Sequence, residues 1–394
     1  MIPYGRQSID ESDIEAVVES LRSDFLTQGP AIDRFEKSLA GRCGSGYAVA
    51  CNSGTAALHM AYAAAGVGPG STVVVPANTF LATANAAVYL GADVRFADVD
   101  PESGLVTAET LADVLDHSVT VVAPVHFAGQ ACDMEAIESV TRRLAPGATL
   151  VEDASHAIGA IHVDGSPVGA SRFSAMTTFS FHPVKHVAAG EGGAVTTDCP
   201  ELLKQLQRFR CHGMTKDPDE LQRPEEGPWY YEMHEPGFNY RIPEASCALA
   251  ASQVKKLDGF VARRREIAAR YLDALAEAPA AVLPPRSHLS TSAWHLFCLH
   301  IDFEALGKPR QQAMAELRDA GVGTQVHYYP VPLQPYYARL GGWCASDFPG
   351  AVEHYTRAIS IPLFPAMTDG DVETVVDAVL RVLANANQTR RHAA

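Results

Sequence analysis

Among the residues able to do chemistry, Lys185 has the most informative surroundings. It follows the apolar, strand-like run Thr178-Phe179-Ser180-Phe181, and precedes Gly190-Glu191-Gly192-Gly193 and a second strand-like run, Ala194-Val195-Thr196-Thr197. An amine held between strands and walled by apolar groups can lose its proton near neutral pH and attack a carbonyl, as Schiff-base chemistry requires. An exposed loop lysine has the same local signature, so the rest of the chain must decide.

Four other positions bear on it. Asn52-Ser53-Gly54-Thr55-Ala56-Ala57 places a glycine and two hydroxyls where a helix begins. Free N–H groups there bind phosphate, although Ser53 or Thr55 could equally be an ordinary N-cap. Asp153 ends the apolar run Thr149-Leu150-Val151-Glu152; at the carboxyl edge of a sheet it could hold a protonated pyridine nitrogen or cap the next helix. Phe80 follows a Pro-Ala-Asn-Thr turn and could stack on a flat ring or fill a core. Ser180, five residues before Lys185, could give its hydroxyl to a phosphate. A phosphate turn, a stacking aromatic, an acid for a ring nitrogen and an imine-forming lysine are together what pyridoxal 5′-phosphate requires.

These residues need a scaffold that brings them to one edge. The strand-like runs 47–51, 72–76, 94–98, 119–126 and 149–153 alternate with helical patterns at 55–65, 82–90, 108–115 and 134–144. Apolar strands alternating with helices imply an α/β fold with a mainly parallel sheet covered on both faces, and ligands collect where such strands give way to loops. Ile14, Val17, Val18 and Leu21 behind Asp10 predict an entry helix. Beyond Arg241 the pattern changes. Helices are expected over 245–257 and 258–277, the latter with Arg263-Arg264-Arg265 on a solvated face, then strands over 293–301 and 323–330, and helices over 310–320 and 371–383. The expected division is an arm and entry helix (1–22), a large cofactor-binding domain (23–250) and a smaller C-terminal α/β domain (251–394). The segment 215–236 reads as a surface loop and 389–394 as a frayed tail.

Composition excludes several classes. The 394 residues carry a formal charge of −15, which offers no general attraction to nucleic acid or anionic membrane. The eight cysteines never approach the spacing of a zinc knuckle or redox pair. Scattered single cysteines, no signal-peptide pattern and no membrane-length apolar run predict a cytoplasmic protein with no nucleic-acid partner and no metal.

The sequence resembles the DegT/DnrJ/EryC1/StrS family of pyridoxal-phosphate-dependent sugar aminotransferases over nearly its whole length. The resemblance is carried by Leu26-Thr27-Gln28-Gly29-Pro30, Asn52 through Leu58, Pro76 through Thr83, Glu152 through His156, Ser180 through Lys185, Gly190 through Gly193, Arg210 through Gly213 and Gly237 through Arg241. Within the family, Ile2 through Gln7, Val125 through Gln130, Gly227 through Glu232 and Val326-His327-Tyr328 are similar to the UDP-4-amino-4,6-dideoxy-N-acetyl-β-L-altrosamine transaminases of pseudaminic acid biosynthesis.

The resemblance implies aminotransferase fold type I. Lys185 would carry the Schiff base, Asp153 would pair with the ring nitrogen, Phe80 would stack on the ring and His156 would lie near its hydroxyl. Gly54, Thr55 and Ser180 would bind the phosphate. Asn239 would reach the cofactor phosphate of the neighbouring subunit, making a homodimer with shared sites. Tyr4, Leu26, Thr27 and the loop from His327 and Tyr328 to Pro330 would face a nucleotide sugar. The implied reaction moves an amino group from L-glutamate to C4 of a UDP-linked 4-keto-6-deoxy-N-acetylhexosamine. The alternatives are another dTDP, UDP or GDP keto sugar, a dehydration, or a non-catalytic sensor. The chain departs from the family pattern at His186-Val187-Ala188-Ala189, bearing on the site wall, and at Ile242-Pro243-Glu244, bearing on the dimer contact or sugar preference.

Overall fold

A computed structural model of the protein describes residues 1–384; the predicted frayed tail, 389–394, lies outside them. The chain opens with α1 (Glu11–Arg22), started by a capping box between Asp10 and Asp13, and α2 (Pro30–Cys43), with proline in its first turn. There follow β1 (Tyr47–Cys51), α3 (Gly54–Ala64), β2 (Thr72–Pro76), α4 (Leu81–Tyr89), β3 (Asp93–Ala97), α5 (Ala108–Ala112), β4 (Val119–Val122), α6 (Met134–Leu144), β5 (Thr149–Asp153), β6 (Met176–Ser180), β7 (Gly193–Thr197) and α7 (Pro200–Arg210).

Among the described residues the large sheet has the order β1-β7-β6-β5-β4-β2-β3. Its pairings from β6 to β3 are parallel, and β7 is antiparallel to both neighbours. The β6–β7 connection explains the exception. Phe181 to Gly192 forms no crossover helix; it is closed on itself by Phe181 N–H donating to Gly192 O, which turns the chain back. Because β7 reverses, β1 to β6 share one direction and their carboxyl ends share one edge. Buried Val73, Val74 and Val75 on β2 show both sheet faces covered, as the uninterrupted apolar runs predict.

The 215–236 insertion contains the short hairpin of β8 (Met214–Thr215) and β9 (Glu232–Met233). Then α8 (Glu244–Ala274) runs unbroken where two helices are expected. Glycine in a helix costs about 1 kcal/mol, and at Gly259 packing on both sides outweighs it. Cys247, Val254, Leu257 and Val261 enter the core around α2 and β7, whereas Ile267, Tyr271 and Leu272 enter a second core with Phe297 and Val375. The expected division at residue 250 therefore falls inside a helix that belongs to both cores. Arg264, expected on a solvated face, is 1% exposed and donates to the carbonyls of Trp294, His295 and Leu363.

The smaller sheet is antiparallel, with β11 (Phe297–Ile301) between β10 (Ala281–Val282) and β12 (Ala358–Ile361). It is flanked by α9 (Phe303–Leu306), α10 (Arg310–Asp319), α11 (Pro335–Gly341), α12 (Pro349–Arg357) and α13 (Asp369–Ala384). Two expectations change here. The 293–301 strand pairs only from Phe297, with every residue of β11 buried, because a central strand covered on both faces has no solvent side. The 323–330 segment keeps one bridge, Gln325 to Ser360, and then leaves the ladder. Tyr328 N–H donates instead to Asn78 Oδ1 at 3.2 Å.

Candidate active site

Lys185 sits in the turn between β6 and β7. Phe181 closes that turn by donating to Gly192 O at 2.9 Å and accepting from Ala189 N–H at 2.9 Å, while Lys185 N–H donates to His182 O at 2.8 Å. Val187, Ala188 and Ala189 are buried behind it, so the side chain is held by packing. Desolvation pulls the Lys185 ammonium down to about 7, against the opposing pull of Asp153. At neutral pH a large share of this amine is unprotonated and nucleophilic.

Asp153 ends β5 and is buried. Its Oδ2 accepts from Thr83 Oγ1 at 2.7 Å, and its Oδ1 accepts from Ser155 Oγ at 2.6 Å and Ser155 N–H at 3.1 Å. Thr83 is oriented in turn by Thr79, one helical turn away, at 2.7 Å. The carboxylate is thus fixed at the sheet edge facing the lysine rather than used as a helix cap. Thr79, Thr83 and Ser155 were not singled out from the sequence; the i, i+4 spacing of the two threonines behind Phe80 is the signal that could have found them.

The turn after β1 starts α3 with a side-chain cap. Ser53 is the N-cap of α3, accepting from Ala56 N–H at 3.1 Å. Gly54 and Thr55 open the helix beside Ser180, and a Cβ at Gly54 would lie 2.8 Å from Ser180 Cβ. Only glycine lets the helix start approach the end of β6 this closely. The result is a cradle of first-turn N–H groups with the Thr55 and Ser180 hydroxyls, the donor set of a phosphate site.

Above the sheet edge stands an aromatic wall. Phe80 is 56% exposed at the start of α4, and its ring lies 6.2 Å from Tyr328. Tyr328 stacks on His156 at 6.2 Å, and its hydroxyl lies 3.2 Å from His156 Nε2. Burial holds His156 neutral, well below the usual histidine range, and pushes the Tyr328 phenol up. With Tyr328 donating, the imidazole proton belongs on Nδ1, a buried atom with no hydrogen-bond partner among the described residues. Asn78 positions this wall by accepting from Tyr328 N–H while donating to Gly104 O at 3.0 Å. Tyr4 joins it through His327, with ring centroids 5.6 Å apart.

His186, in the stretch that departs from the family pattern, turns inward. Its Nε2 donates to Ala293 O at 2.8 Å, and its ring lies 5.6 Å from His295, which in turn packs 4.4 Å from His156. Gly129 allows this arrangement: its φ is +97°, and a Cβ there would meet His295 N at 2.7 Å. His295 was not anticipated from the sequence. His327 is also turned away from the open site, with Nδ1 2.8 Å from Ser360 Oγ.

Three expected residues stand apart from this group. Leu26 and Thr27 are exposed in the loop between α1 and α2. Asn239 is exposed in the 237–241 segment, bridged to Cys211. Glu244, in the 242–244 stretch that departs from the family pattern, turns inward. Its carboxylate accepts from Gly29 N–H at 2.9 Å and Ala31 N–H at 2.7 Å, satisfying the first turn of α2.

Comparison with known proteins places this geometry. The family described as the DegT/DnrJ/EryC1/StrS aminotransferase family matches residues 7–380. The spore coat polysaccharide biosynthesis protein SpsC of Bacillus subtilis is 37% identical over 387 residues, covering 98% of each chain. Among solved structures, Helicobacter pylori PseC, an aminotransferase involved in the biosynthesis of pseudoaminic acid, is 26% identical with a TM-score of 0.89, covering 97% of this chain and 99% of its own. Spr1654 from Streptococcus pneumoniae, in its PLP-form, is 26% identical with a TM-score of 0.88, covering 98% and 99% of the two chains.

Proposed function

Because the chain belongs to the DegT/DnrJ/EryC1/StrS aminotransferase family, whose members are pyridoxal-phosphate-dependent sugar aminotransferases, we propose that it aminates C4 of a UDP-linked 4-keto-6-deoxy-N-acetylhexosamine with L-glutamate as donor. The observation that carries amino transfer is the Lys185 amine, held near pH 7 opposite a fixed Asp153. The sugar assignment rests on the motifs shared with the pseudaminic acid branch and on the likeness to PseC.

The residues present fit the cofactor: a phosphate cradle that a Cβ would fill, an anchored carboxylate, and an orphaned buried nitrogen on His156. Thr55, Ser180 and the first turn of α3 would hold its phosphate, Asp153 its ring nitrogen, His156 its ring hydroxyl and Phe80 a face of the ring. When bound, it supplies an aldehyde that captures amines and a ring that accepts the electron pair of a bond broken at carbon. Lys185 Nζ first takes the proton from the α-carbon of glutamate, then returns one to the sugar carbon receiving nitrogen. Asp153, held by hydrogen bonds from Thr83 and Ser155, would orient its carboxyl group toward the ring nitrogen. Buried His156 and half-buried Tyr328 would limit water on one side.

Tyr4 and Tyr328 would line the sugar side, with Leu26, Thr27 and His327 at its margin. Exposed Asn239 would reach the site of a second subunit in a homodimer. Eight free cysteines fit a reducing cytoplasm. The 37% identity to SpsC favours a second reading, the same amino transfer to a different keto sugar. The deciding experiment incubates the enzyme with glutamate and the 4-keto product of UDP-N-acetylglucosamine dehydration and 5-epimerisation, beside a panel of dTDP and GDP keto sugars. An amino sugar formed from the first substrate supports the proposal; amination only of another keto sugar replaces it with the second reading.

A further inference from the structure

Two buried clusters of metal-ligating side chains lie outside this site, His126–Glu152–His162 and Cys298–His300–His354, each with its ligand atoms within 4.8 Å of one another. The first is closed by its own hydrogen bonds. Glu152 accepts from His126 Nε2 at 2.6 Å and Ser174 Oγ at 2.5 Å, and His126 Nδ1 accepts from Cys132 N–H at 3.1 Å. The second leaves its donors converging. We propose that Cys298, His300 and His354 form a binding site for a borderline-soft divalent cation, Zn²⁺ by its donor chemistry, with water as the fourth ligand.

Cys298 and His300 lie two residues apart on β11, so both side chains leave the same face, where α12 presents His354. His354 Nε2–H donates to His327 O at 3.3 Å, which turns the Nδ1 lone pair toward His300 Nε2, 3.1 Å away. An imidazole whose second nitrogen donates to a backbone carbonyl is the usual outer-shell arrangement of a metal-bound histidine. Two nitrogens at Zn–N distances of 2.0–2.1 Å in a tetrahedron stand about 3.3 Å apart. Replacing the proton between these rings with the cation therefore opens the pair by only roughly 0.2 Å. A cavity of about 40 Å³, lined by Cys298, His354, Ser103 and exposed Glu102, adjoins the donors and has room for the fourth ligand.

The step balances without a co-reactant. The Cys298 S–H bond breaks, Zn–S forms, and the thiol proton passes to the buffer. The His300 ring keeps its single proton, which moves from Nε2 to Nδ1. This inference does not depend on which sugar is aminated. The test is isothermal titration of the purified holoenzyme with ZnCl₂ in buffers of different ionisation enthalpy, with X-ray absorption on the loaded protein. One ion per chain is expected, with about one proton released, a sulfur at about 2.3 Å and two nitrogens at about 2.0–2.1 Å. Cys298→Ser should weaken binding by more than about 100-fold, beyond what loss of an outer-shell partner costs, while His162→Gln leaves it unchanged. Absorption without a sulfur ligand, affinity unaltered in Cys298→Ser, or loss confined to His162→Gln would each overturn the assignment, and the absorption result holds even should a variant misfold.

Discussion

At the scale of single residues, the proposed amino transfer depends on an amine whose proton is loosely held. Lys185→Ala should lower turnover of glutamate and keto sugar by about 10³-fold or more, with the fold intact by circular dichroism; near-normal turnover would remove Lys185 from the mechanism. Its pH behaviour follows from the downward shift. The free amine is scarce below pH 7 and nearly complete a unit or two above it, because the pKa is held at about 7. Modification of Lys185 by an amine reagent in the cofactor-free protein should rise through pH 6–8 and then level off. A rate still climbing at pH 9–10, as for exposed lysines, would contradict burial as the cause. This part of the site was legible in sequence, since a lysine between two apolar strands is a local pattern. Asp153 was legible as a carboxylate at a sheet edge, whereas Thr83, 70 residues away, becomes its partner only when α4 packs beside β5.

At the scale of elements, two helix starts carry testable geometry. A Cβ at Gly54 would press on Ser180, 2.8 Å away, so Gly54→Ala should cost about 1–3 kcal/mol and weaken cofactor retention in equilibrium dialysis. Gly41→Ala, on the exposed side of α2 with open space around it, should instead add about 0.5–1 kcal/mol. Equal effects of the two in denaturant unfolding would refute close approach as the reason for glycine. Glu244 ties the start of α8 to the start of α2, and Glu244→Ala leaves two N–H groups unpartnered. A loss of about 2–4 kcal/mol is expected, with the KM for sugar little changed; a large KM shift would instead connect Glu244 to the sugar preference on which the 242–244 departure could bear. The helix and strand cores were legible because periodicity is local. The join of two expected helices into α8 was not, because burial against two separate cores outweighs the cost of Gly259.

At the scale of the whole molecule, the exposed 229–239 face matters most. Trp229, Tyr231, Met233 and Phe238 are all more than half or nearly half exposed, beside Asn239. Apolar side chains grouped in this way suit a partner, and a second copy of the chain is the partner in the proposed dimer. Sedimentation should therefore show a dimer. Mixing inactive Lys185→Ala with weakened Asn239→Ala should recover up to about a quarter of wild-type activity, the share expected when half the chains reassort into mixed dimers each with one intact site. No recovery after subunit exchange would place Asn239 outside the neighbouring site.

The sequence by itself determined the α/β alternation and the family, and singled out the lysine, the aspartate and the turn after β1 as candidates, because each is written in residues close together or in a repeating pattern of burial. Only the tertiary structure decided which residues share a surface. It turned Glu244 and Arg264 inward, packed His295 against His156, set Asn78 behind Tyr328 and brought Cys298, His300 and His354 together. Those pairings join segments tens to hundreds of residues apart, and what selects them is the close packing of the assembled cores and the need of every buried polar group for a partner.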